Sequence, residues 1–246
     1  MSDPLSSQLI IAFPSYQDDS FSSFIPFESS EFAFQAAKSL CENSHYSFNS
    51  LFIAGESGLG KTHLLRAIGN YVAINSPEEK ALYMDGGRFA QKVSEGDRMD
   101  GPLNEILSAD YLLLDDVQKI SGNFGAQEKL YHVYNVLNQN KKKIIFAANQ
   151  PPEKLIGLAD FLKSRFQWGV IAILKNIDDK SSTLLLQKLA GDLGLELEYP
   201  VISFMIKRIP RDFRSLSEAI NSVNEASWVK KQKVTIQLVK ATLGID

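Results

Sequence analysis

The fold of this chain is decided by one short stretch of its sequence, Gly55-Glu56-Ser57-Gly58-Leu59-Gly60-Lys61-Thr62. It matches the phosphate-loop pattern G-x-x-x-x-G-K-[ST], in which glycines let the backbone turn its N–H groups toward phosphate oxygens. A helix that begins near Lys61 adds the positive end of its dipole to the same place. We therefore predict that Lys61 binds the β- and γ-phosphates of a nucleotide and that the Thr62 hydroxyl is a magnesium ligand.

The residues around this loop have the pattern that a phosphate loop needs. The apolar run at residues 51–54 predicts a buried strand before it, and residues 63–68 continue as a helix after it. The alternative is a glycine-rich turn that arose by chance, which a preceding strand and a following helix disfavour. The predicted nucleotide-binding set contains the loop and the residue that follows it: Gly55, Glu56, Ser57, Gly58, Leu59, Gly60, Lys61, Thr62 and His63.

Five apolar runs recur along the first part of the chain, separated by stretches that are long enough for helices. They are residues 51–54, 81–84, 111–114, 143–148 and 170–174. Runs that are apolar on both faces favour a five-stranded parallel sheet with helices on both sides, which is an α/β fold. After about residue 177 the pattern is helical only. We predict an extended arm at residues 1–20, the α/β domain at 21–177 and a small helical domain at 178–246.

Two aspartates, Asp115 and Asp116, end the third of these runs. A buried strand would deliver the Asp115 carboxylate to a magnesium ion, and the carboxylate of Asp116 would polarise an attacking water molecule. Acidic residues also end strands as solvated caps, and this alternative stays open. The order of the aspartates after the phosphate loop favours the functional interpretation.

Composition excludes several classes of function. The 246-residue chain has 26 basic and 29 acidic residues, and a net charge of -3 gives it no overall attraction for nucleic acid or an acidic membrane surface. Its one cysteine, Cys41, excludes a disulfide framework and fits a reducing cytoplasm. The apolar run at residues 9–13 is too short for a signal peptide or a membrane span. We expect a cytoplasmic protein.

Several motifs together resemble the AAA+ module of the bacterial replication initiator DnaA. They are GESGLGKTHLLRAIGN (55–70), ADYLLLDDVQ (109–118), QEKLYHVYNVL (127–137), IIFAANQPP (144–152), LKSRFQWG (162–169) and the N-terminal phrase FSSFI (21–25). The resemblance covers about residues 21 to 225 and keeps the family's order. It implies an AAA+ P-loop NTPase with a C-terminal helical lid, which binds ATP or ADP with Mg²⁺ in the bacterial cytoplasm.

The resemblance also implies roles for four residues outside the phosphate loop. Asn149 falls at sensor 1, where the family usually has an aspartate, so the polar contact is kept and the charge is lost. Arg165 falls at the arginine-finger position, which acts in trans on a neighbouring subunit's nucleotide. Arg214 falls at sensor 2 on the lid, and Ile25 lies in the segment that lines the adenine pocket. For both arginines, an ordinary surface charge remains the alternative.

Two aromatic residues next to the arginine-finger position have a structural interpretation. Phe166 and Trp168 are expected to pack rather than to take part in chemistry.

DnaA itself has a further C-terminal DNA-binding domain and a basic stretch that grips single-stranded DNA. Here the corresponding interval, residues 95–102, is not basic, and we expect no dedicated DNA-binding domain. The chain is thus similar to the Hda-type members of the family, which act with the DNA-loaded sliding clamp to make DnaA hydrolyse its ATP. The resemblance implies DnaA and the sliding clamp as partners and leaves self-association through AAA+ surfaces open.

The N-terminal arm contains a peptide, Gln8-Leu9-Ile10-Ile11-Ala12-Phe13, that resembles the clamp-binding peptide of Hda-type proteins. Gln8, Leu9, Ile11 and Phe13 are the predicted contacts. An apolar edge strand or a tail is the alternative.

Other functions also stay open. They are an initiator paralogue or helicase loader that assembles on DNA, a nucleotide-locked adaptor without catalysis, and a small-molecule kinase. The P-loop site itself looks complete, and any intrinsic ATPase activity is expected to be slow.

Overall fold

The computed structural model describes Phe13 and residues 19–42, 48–94 and 102–246. Gln8, Leu9 and Ile11 of the predicted clamp-binding peptide lie outside the described residues, as do residues 95–101. The chain forms two compact units, Met1–Leu174 and Lys175–Asp246.

The first unit is built on a five-stranded parallel sheet with the strand order β2-β3-β4-β1-β5. The strands are β1 (Ser50–Ala54), β2 (Ala81–Asp85), β3 (Tyr111–Asp115), β4 (Lys143–Ala148) and β5 (Val170–Ile173). The helices are α1 (Glu31–Cys41), α2 (Lys61–Asn75), α3 (Gly86–Ser94), α4 (Pro102–Leu107), α5 (Phe124–Gln139) and α6 (Asp160–Phe166). Single 3₁₀ turns cover Val117–Ile120 and Pro152–Lys154. The predicted α/β fold class with a parallel sheet is confirmed.

Alternation along the strands divides the core into two layers, one on each face of the sheet. In β1, Leu51 and Ile53 pack with α1 and α2, whereas Phe52 packs on the opposite face against Phe146 and Phe166. All five residues of β1 and of β3 are buried. Strands covered on both sides can be apolar throughout, which is why their sequences form unbroken apolar runs.

The phosphate loop and Asp115 of the predicted site lie at the carboxyl edge of this sheet. The register pairs Ala54 with Ala148 and Asp85 with Asp115, so these strands end at about the same level. Ligands of open α/β sheets bind at this edge, outside the carboxyl ends of the strands.

The second unit contains four helices, α7 (Asp179–Asp192), α8 (Tyr199–Ile206), α9 (Phe213–Lys230) and α10 (Ile236–Leu243). Three of them begin at a capping side chain: Asp178, Asp212 and Thr235 accept hydrogen bonds from the backbone N–H groups of the first turns. Such caps satisfy donors that have no partner inside the helix. Among the residues that the structure describes, no helix is both long and apolar enough to cross a membrane.

Candidate nucleotide and magnesium site

The phosphate loop connects β1 to α2 and takes backbone conformations that its glycines permit. Gly58 and Gly60 have φ angles of 83° and 93°, in the left-handed region that other residues rarely enter. A Cβ atom on Gly60 would also lie 2.8 Å from the ring of Phe24. The sequence pattern therefore places glycine where both the backbone angle and the packing require it.

Lys61 is the first residue of α2, and its side chain folds back under the loop. Its Nζ donates hydrogen bonds to the carbonyl oxygens of Gly55, at 2.7 Å, and Glu56, at 2.6 Å. Burial lowers the pKa of the Lys61 ammonium, while the carboxylates of Asp115 and Asp116 act in the opposite direction. The charge is thus held at the loop by backbone oxygens.

Asp115 ends β3 and is almost completely buried, with 4% of its surface exposed. Its Oδ2 accepts hydrogen bonds from the Thr62 hydroxyl at 2.6 Å and the Tyr83 phenol at 2.9 Å. Its Oδ1 accepts one from the backbone N–H of Asp116 at 2.9 Å. Burial raises the pKa of the Tyr83 phenol, and Asp115 raises it further, so the phenol remains a donor.

This donor set suits a magnesium ion. Magnesium prefers oxygen ligands, and it usually binds proteins through one or two of them together with phosphate oxygens. Thr62 places its one hydroxyl hydrogen on Asp115, so the lone pairs of its oxygen remain available to a metal ion. The side chains predicted to hold magnesium therefore lie together and offer the right atoms.

Asp116 follows directly, and its carboxylate has partners on both oxygens. Its backbone is left-handed, with φ of 48°. Oδ1 accepts a hydrogen bond from Gln118 Nε2 at 2.9 Å, and Oδ2 pairs with Lys119 Nζ at 3.0 Å. Burial raises the pKa of Asp116, but the hydrogen bonds from Lys119 and Gln118 outweigh it and leave that pKa below its ordinary value.

Gln118 joins Asp116 to the sensor-1 position. Asn149 follows the end of β4, and its backbone N–H donates to Gln118 Oε1 at 3.3 Å. The same Gln118 side chain donates to Asp116 through its amide nitrogen. Sequence reasoning missed this bridge, although Gln118 closes the motif ADYLLLDDVQ.

The segment at residues 19–25 packs on α1 and α2 beside the loop. Phe24 stacks on Phe34, with ring centroids 5.5 Å apart, and lies against His63. The His63 ring nitrogen Nε2 is 2.9 Å from the Ser20 carbonyl oxygen. His63 therefore contacts this segment, while Ile25 is half-buried within it.

Phe13 is the one residue of the predicted clamp-binding peptide that the structure describes. It is half-buried and packs with the cluster around α1 and α2. Its ring occupies the space that a Cβ atom on Gly69 of α2 would need.

Arg165, on α6, is held by side chains of its own unit. Its Nε donates to Asn135 Oδ1 at 2.9 Å, and its Nη2 donates to the Tyr131 hydroxyl at 2.8 Å. The guanidinium carbon lies 3.9 Å from the centroid of the Trp168 ring. Phe166 is fully buried and packs in the core as predicted, whereas Trp168 is 62% exposed and packs on the Arg165 guanidinium. Trp168 lies beyond the end of α6, where its ring covers the arginine instead of entering the core.

Arg214 lies on α9 of the second unit and is exposed. Its Nε donates to Glu218 Oε1 at 2.7 Å, one helical turn away, and this carboxylate raises the pKa of Arg214. Its predicted sensor-2 role stays a prediction.

Comparison with known proteins identifies the family of this chain. Residues 16–173 match the family model of the bacterial DnaA ATPase domain. The chain belongs to the DnaA family. Residues 178–243 match a second family model, described as the lid domain of Hda. The predicted resemblance to the DnaA family and to Hda is therefore confirmed.

Individual DnaA relatives agree with the family models. The DnaA protein of Herpetosiphon aurantiacus is 34% identical over 227 residues, which cover 91% of this chain and 48% of that protein. This chain therefore spans about half the length of that curated relative. Domain III of Thermotoga maritima DnaA has a TM-score of 0.83 and 31% identity, covering 94% of this chain and 98% of that one.

Two further solved structures place the fold. AMPPCP-bound DnaA of Aquifex aeolicus has a TM-score of 0.79 and 30% identity, covering 88% of this chain and 70% of that one. The RuvB motor of Thermotoga maritima has a TM-score of 0.62 at 20% identity, covering 92% and 71%, which establishes a shared AAA+ fold alone.

Proposed function

We propose that this protein is an AAA+ regulator of replication initiation that binds adenine nucleotide with Mg²⁺ and stimulates ATP hydrolysis by DnaA together with the sliding clamp. One observation carries the proposal: a chain with a DnaA-type ATPase domain continues into a lid that matches Hda. A related DnaA is described as bound to AMPPCP, which supports an adenine nucleotide as the ligand.

The nucleotide is held by the edge of the sheet described above. Lys61 exchanges its contacts with Gly55 and Glu56 for phosphate oxygens, and the loop N–H groups bind the same phosphates. Thr62 and Asp115 hold magnesium, which neutralises phosphate charge when it is bound. Ile25 and the segment around it line the adenine.

The nucleotide state is sensed at two places. Asn149 contributes a polar group at the end of β4 and is linked through Gln118 to Asp116, which orients water for slow intrinsic hydrolysis. Arg214 on α9 provides the second sensor, on the lid.

Arg165 acts in trans on the nucleotide that DnaA holds. Its guanidinium is already oriented by Asn135 and Tyr131, and a fixed arginine stabilises transition-state charge with little reorganisation. The clamp binds residues 8–13, for which the Phe13 ring must leave its place against Gly69.

The test is the ATPase rate of the matching DnaA with this protein added, with and without clamp loaded on DNA. We expect a clamp-dependent rise that is lost in Arg165→Ala and in a Gln8→Ala, Phe13→Ala double variant, while both keep nucleotide affinity. Lys163→Ala, on the same helix, is the matched control and should stimulate normally. Normal stimulation by Arg165→Ala would contradict the role of Arg165 in trans. If folded, nucleotide-bound wild-type protein does not raise the ATPase rate of DnaA, the regulator function itself is contradicted.

A second candidate has its own support. A related DnaA is described as bound to AMPPCP and single-stranded DNA, with 30% identity and a TM-score of 0.79, covering 88% of this chain and 69% of that one. An initiator paralogue or helicase loader would form ATP-dependent oligomers on single-stranded DNA. Residues 95–101 contain three acidic residues and one basic residue, which disfavours this candidate. Sedimentation with ATP and an oligonucleotide distinguishes the two.

A nucleotide-locked adaptor without catalysis is the remaining alternative. It would be stabilised by bound ADP through mass action alone. It would leave the ATPase rate of DnaA unchanged.

A further inference from the structure

A buried tyrosine from a neighbouring strand contacts the metal-site carboxylate. Tyr83 lies on β2, which pairs with β3 so that Tyr83 is opposite Leu113 and Asp85 opposite Asp115. Only 8% of Tyr83 is exposed. Its phenol donates a 2.9 Å hydrogen bond to Asp115 Oδ2, the same oxygen that accepts from Thr62.

The orientation of the Asp115 carboxylate depends on this contact. The terminal torsion of an aspartate is soft, so a carboxylate turns easily unless donors fix both of its oxygens. The N–H of Asp116 fixes Oδ1, and the hydroxyls of Thr62 and Tyr83 converge on Oδ2. Without the phenol, Thr62 would be the one side chain among the described contacts that directs Oδ2.

We infer that Tyr83 is a positioning residue of the magnesium site, whose phenol holds the Asp115 carboxylate toward Thr62. The inference rests on the proposed nucleotide and magnesium function and names a residue on which that function depends. Partners behind metal ligands typically change metal affinity ten- to a hundredfold when they are removed.

Tyr83 has a second charged neighbour, Arg66 of α2. The guanidinium carbon of Arg66 lies 5.6 Å from the ring centroid, and Arg66 Nη1 donates to Asp19 Oδ2 at 3.1 Å. Tyr83 therefore contacts both Arg66 and Asp115, which restricts the direction of its hydroxyl.

A second buried tyrosine provides a matched control. Tyr111 begins β3, is 5% exposed, and its hydroxyl donates to the Leu40 carbonyl oxygen at 3.3 Å. It lies at the opposite end of the strand from Asp115. Tyr111→Phe thus removes a buried phenol oxygen of the same kind without touching the metal site.

The experiment measures the affinity of the whole protein for a fluorescent ADP in excess MgCl₂ and in EDTA. The ratio of the two affinities measures how much magnesium contributes to ADP binding, because the contacts of the phosphate loop with ADP form in both buffers. In Tyr83→Phe we expect this ratio to fall about tenfold, with the EDTA affinity within about twofold of the wild-type value. Tyr111→Phe should leave the ratio unchanged.

A double variant tests whether Tyr83 acts through Asp115. In an Asp115→Asn background the phenol has no carboxylate to orient, so adding Tyr83→Phe should change the ratio less than about twofold. Independent losses in the double variant would overturn the inference.

The outcomes separate this inference from the proposed function. An unchanged ratio in Tyr83→Phe, or an equal loss of affinity in both buffers, would show that the hydroxyl has only a structural role. Either result would overturn the positioning role. If wild-type protein binds ADP equally in MgCl₂ and EDTA, the proposed magnesium site itself fails. Only this last result would contradict the proposed binding of magnesium.

Discussion

The Thr62 hydroxyl donates a 2.6 Å hydrogen bond to Asp115 Oδ2, although 53 positions separate the two residues in the sequence. The bond connects the start of α2 to the end of β3. It forms because both residues lie at the carboxyl edge of the sheet, where β4 separates β3 from β1. The phosphate loop and the acidic strand end are thus one site, and substitutions in either should affect the same measurement.

Removing the Lys61 ammonium should weaken nucleotide binding. The Nζ is held beside the loop by the carbonyl oxygens of Gly55 and Glu56, and charge-assisted hydrogen bonds to phosphate contribute about 1.5–3 kcal/mol. We expect Lys61→Ala to lower the affinity for ADP by roughly 10- to 100-fold in a fluorescence titration. Lys119→Ala, which removes another lysine near the site, should change the affinity less than about threefold. Equal losses in both variants would contradict a specific role for Lys61.

Replacing Gly60 should strain the loop and lower stability. The residue has a φ of 93°, which costs an L-residue about 1–2 kcal/mol, and an added Cβ would lie 2.8 Å from the Phe24 ring. We expect Gly60→Ala to lower the free energy of unfolding by about 2 kcal/mol in urea and to weaken ADP binding. Gly125→Ala is the control, because Gly125 lies in α5 and its new Cβ atom would be 3.8 Å from Asn123 Oδ1, an ordinary van der Waals contact. It should be neutral or stabilising, by up to about 1 kcal/mol.

The fold followed from the sequence because its signals are local. Unbroken apolar runs predict buried parallel strands, and β4 covers the predicted residues 143–148 in full. The helical pattern predicted after about residue 177 is likewise present as α7 to α10. The division of the chain after Leu174 lies close to the predicted change to a helical pattern.

The details of the site could not be predicted because they depend on partners distant in sequence. The contacts of Tyr83 with Asp115 and of Gln118 with Asn149 join residues from different strands and loops, and no local sequence pattern predicts them. The partner of Trp168 could not be predicted for a related reason. An aromatic side chain usually packs in the core, but this one follows the end of α6, where it packs on a neighbouring guanidinium.

Freeing Asp116 should raise intrinsic hydrolysis. The Lys119 ammonium pairs with the Asp116 carboxylate at 3.0 Å and helps to keep its pKa below the ordinary value, which makes the carboxylate a weaker base. An ion pair this exposed is worth at most about 1 kcal/mol, so Lys119→Ala should raise the single-turnover rate by about two- to fivefold. The gain should vanish when Asp116→Asn is added. A rate that falls in Lys119→Ala would mean that the lysine assists the reaction instead.

The pH dependence of stability should reveal the role of Asp110. This carboxylate accepts hydrogen bonds from the Lys142 ammonium and the Lys80 backbone N–H. Burial raises the pKa of Asp110, but these partners outweigh it and lower that pKa below its unfolded value. The stabilisation is therefore present above the unfolded pKa, which is about 4, and is lost as the pH falls through the folded value.

Asp110→Asn should lower the free energy of unfolding at pH 7 by about 1 kcal/mol in urea titrations. The deficit should shrink as the pH falls below about 4, where Asp110 of the unfolded chain binds a proton first, and should be lost once the pH has fallen through the lower folded pKa. Glu128→Gln, an exposed change on α5, should have little effect at either pH. A deficit of equal size at both values would show that the ion pair is not its source.

The side chains around Arg165 should influence the proposed reaction in trans. Nε and Nη2 donate to Asn135 and to Tyr131, and the face of the guanidinium lies against Trp168. A guanidinium fixed in this way needs little reorganisation when it meets the charge of a phosphate, whereas a free one must be ordered at that moment. The partners on α5 should therefore affect the rate of the stimulated reaction more than the docking of the two proteins.

Asn135→Ala should lower the maximal stimulation of the DnaA ATPase by about tenfold, because a 1 Å misplacement of a reacting group costs up to about a hundredfold. The concentration of this protein at half-maximal stimulation should stay within about twofold. Arg165→Lys should not restore activity, since an ammonium lacks the fork that contacts Asn135 and Tyr131 together. His132→Ala, an exposed change on the same helix, serves as the control and should stimulate normally. If Asn135→Ala instead shifts the half-maximal concentration and leaves the maximum unchanged, α5 takes part in docking rather than in orienting Arg165.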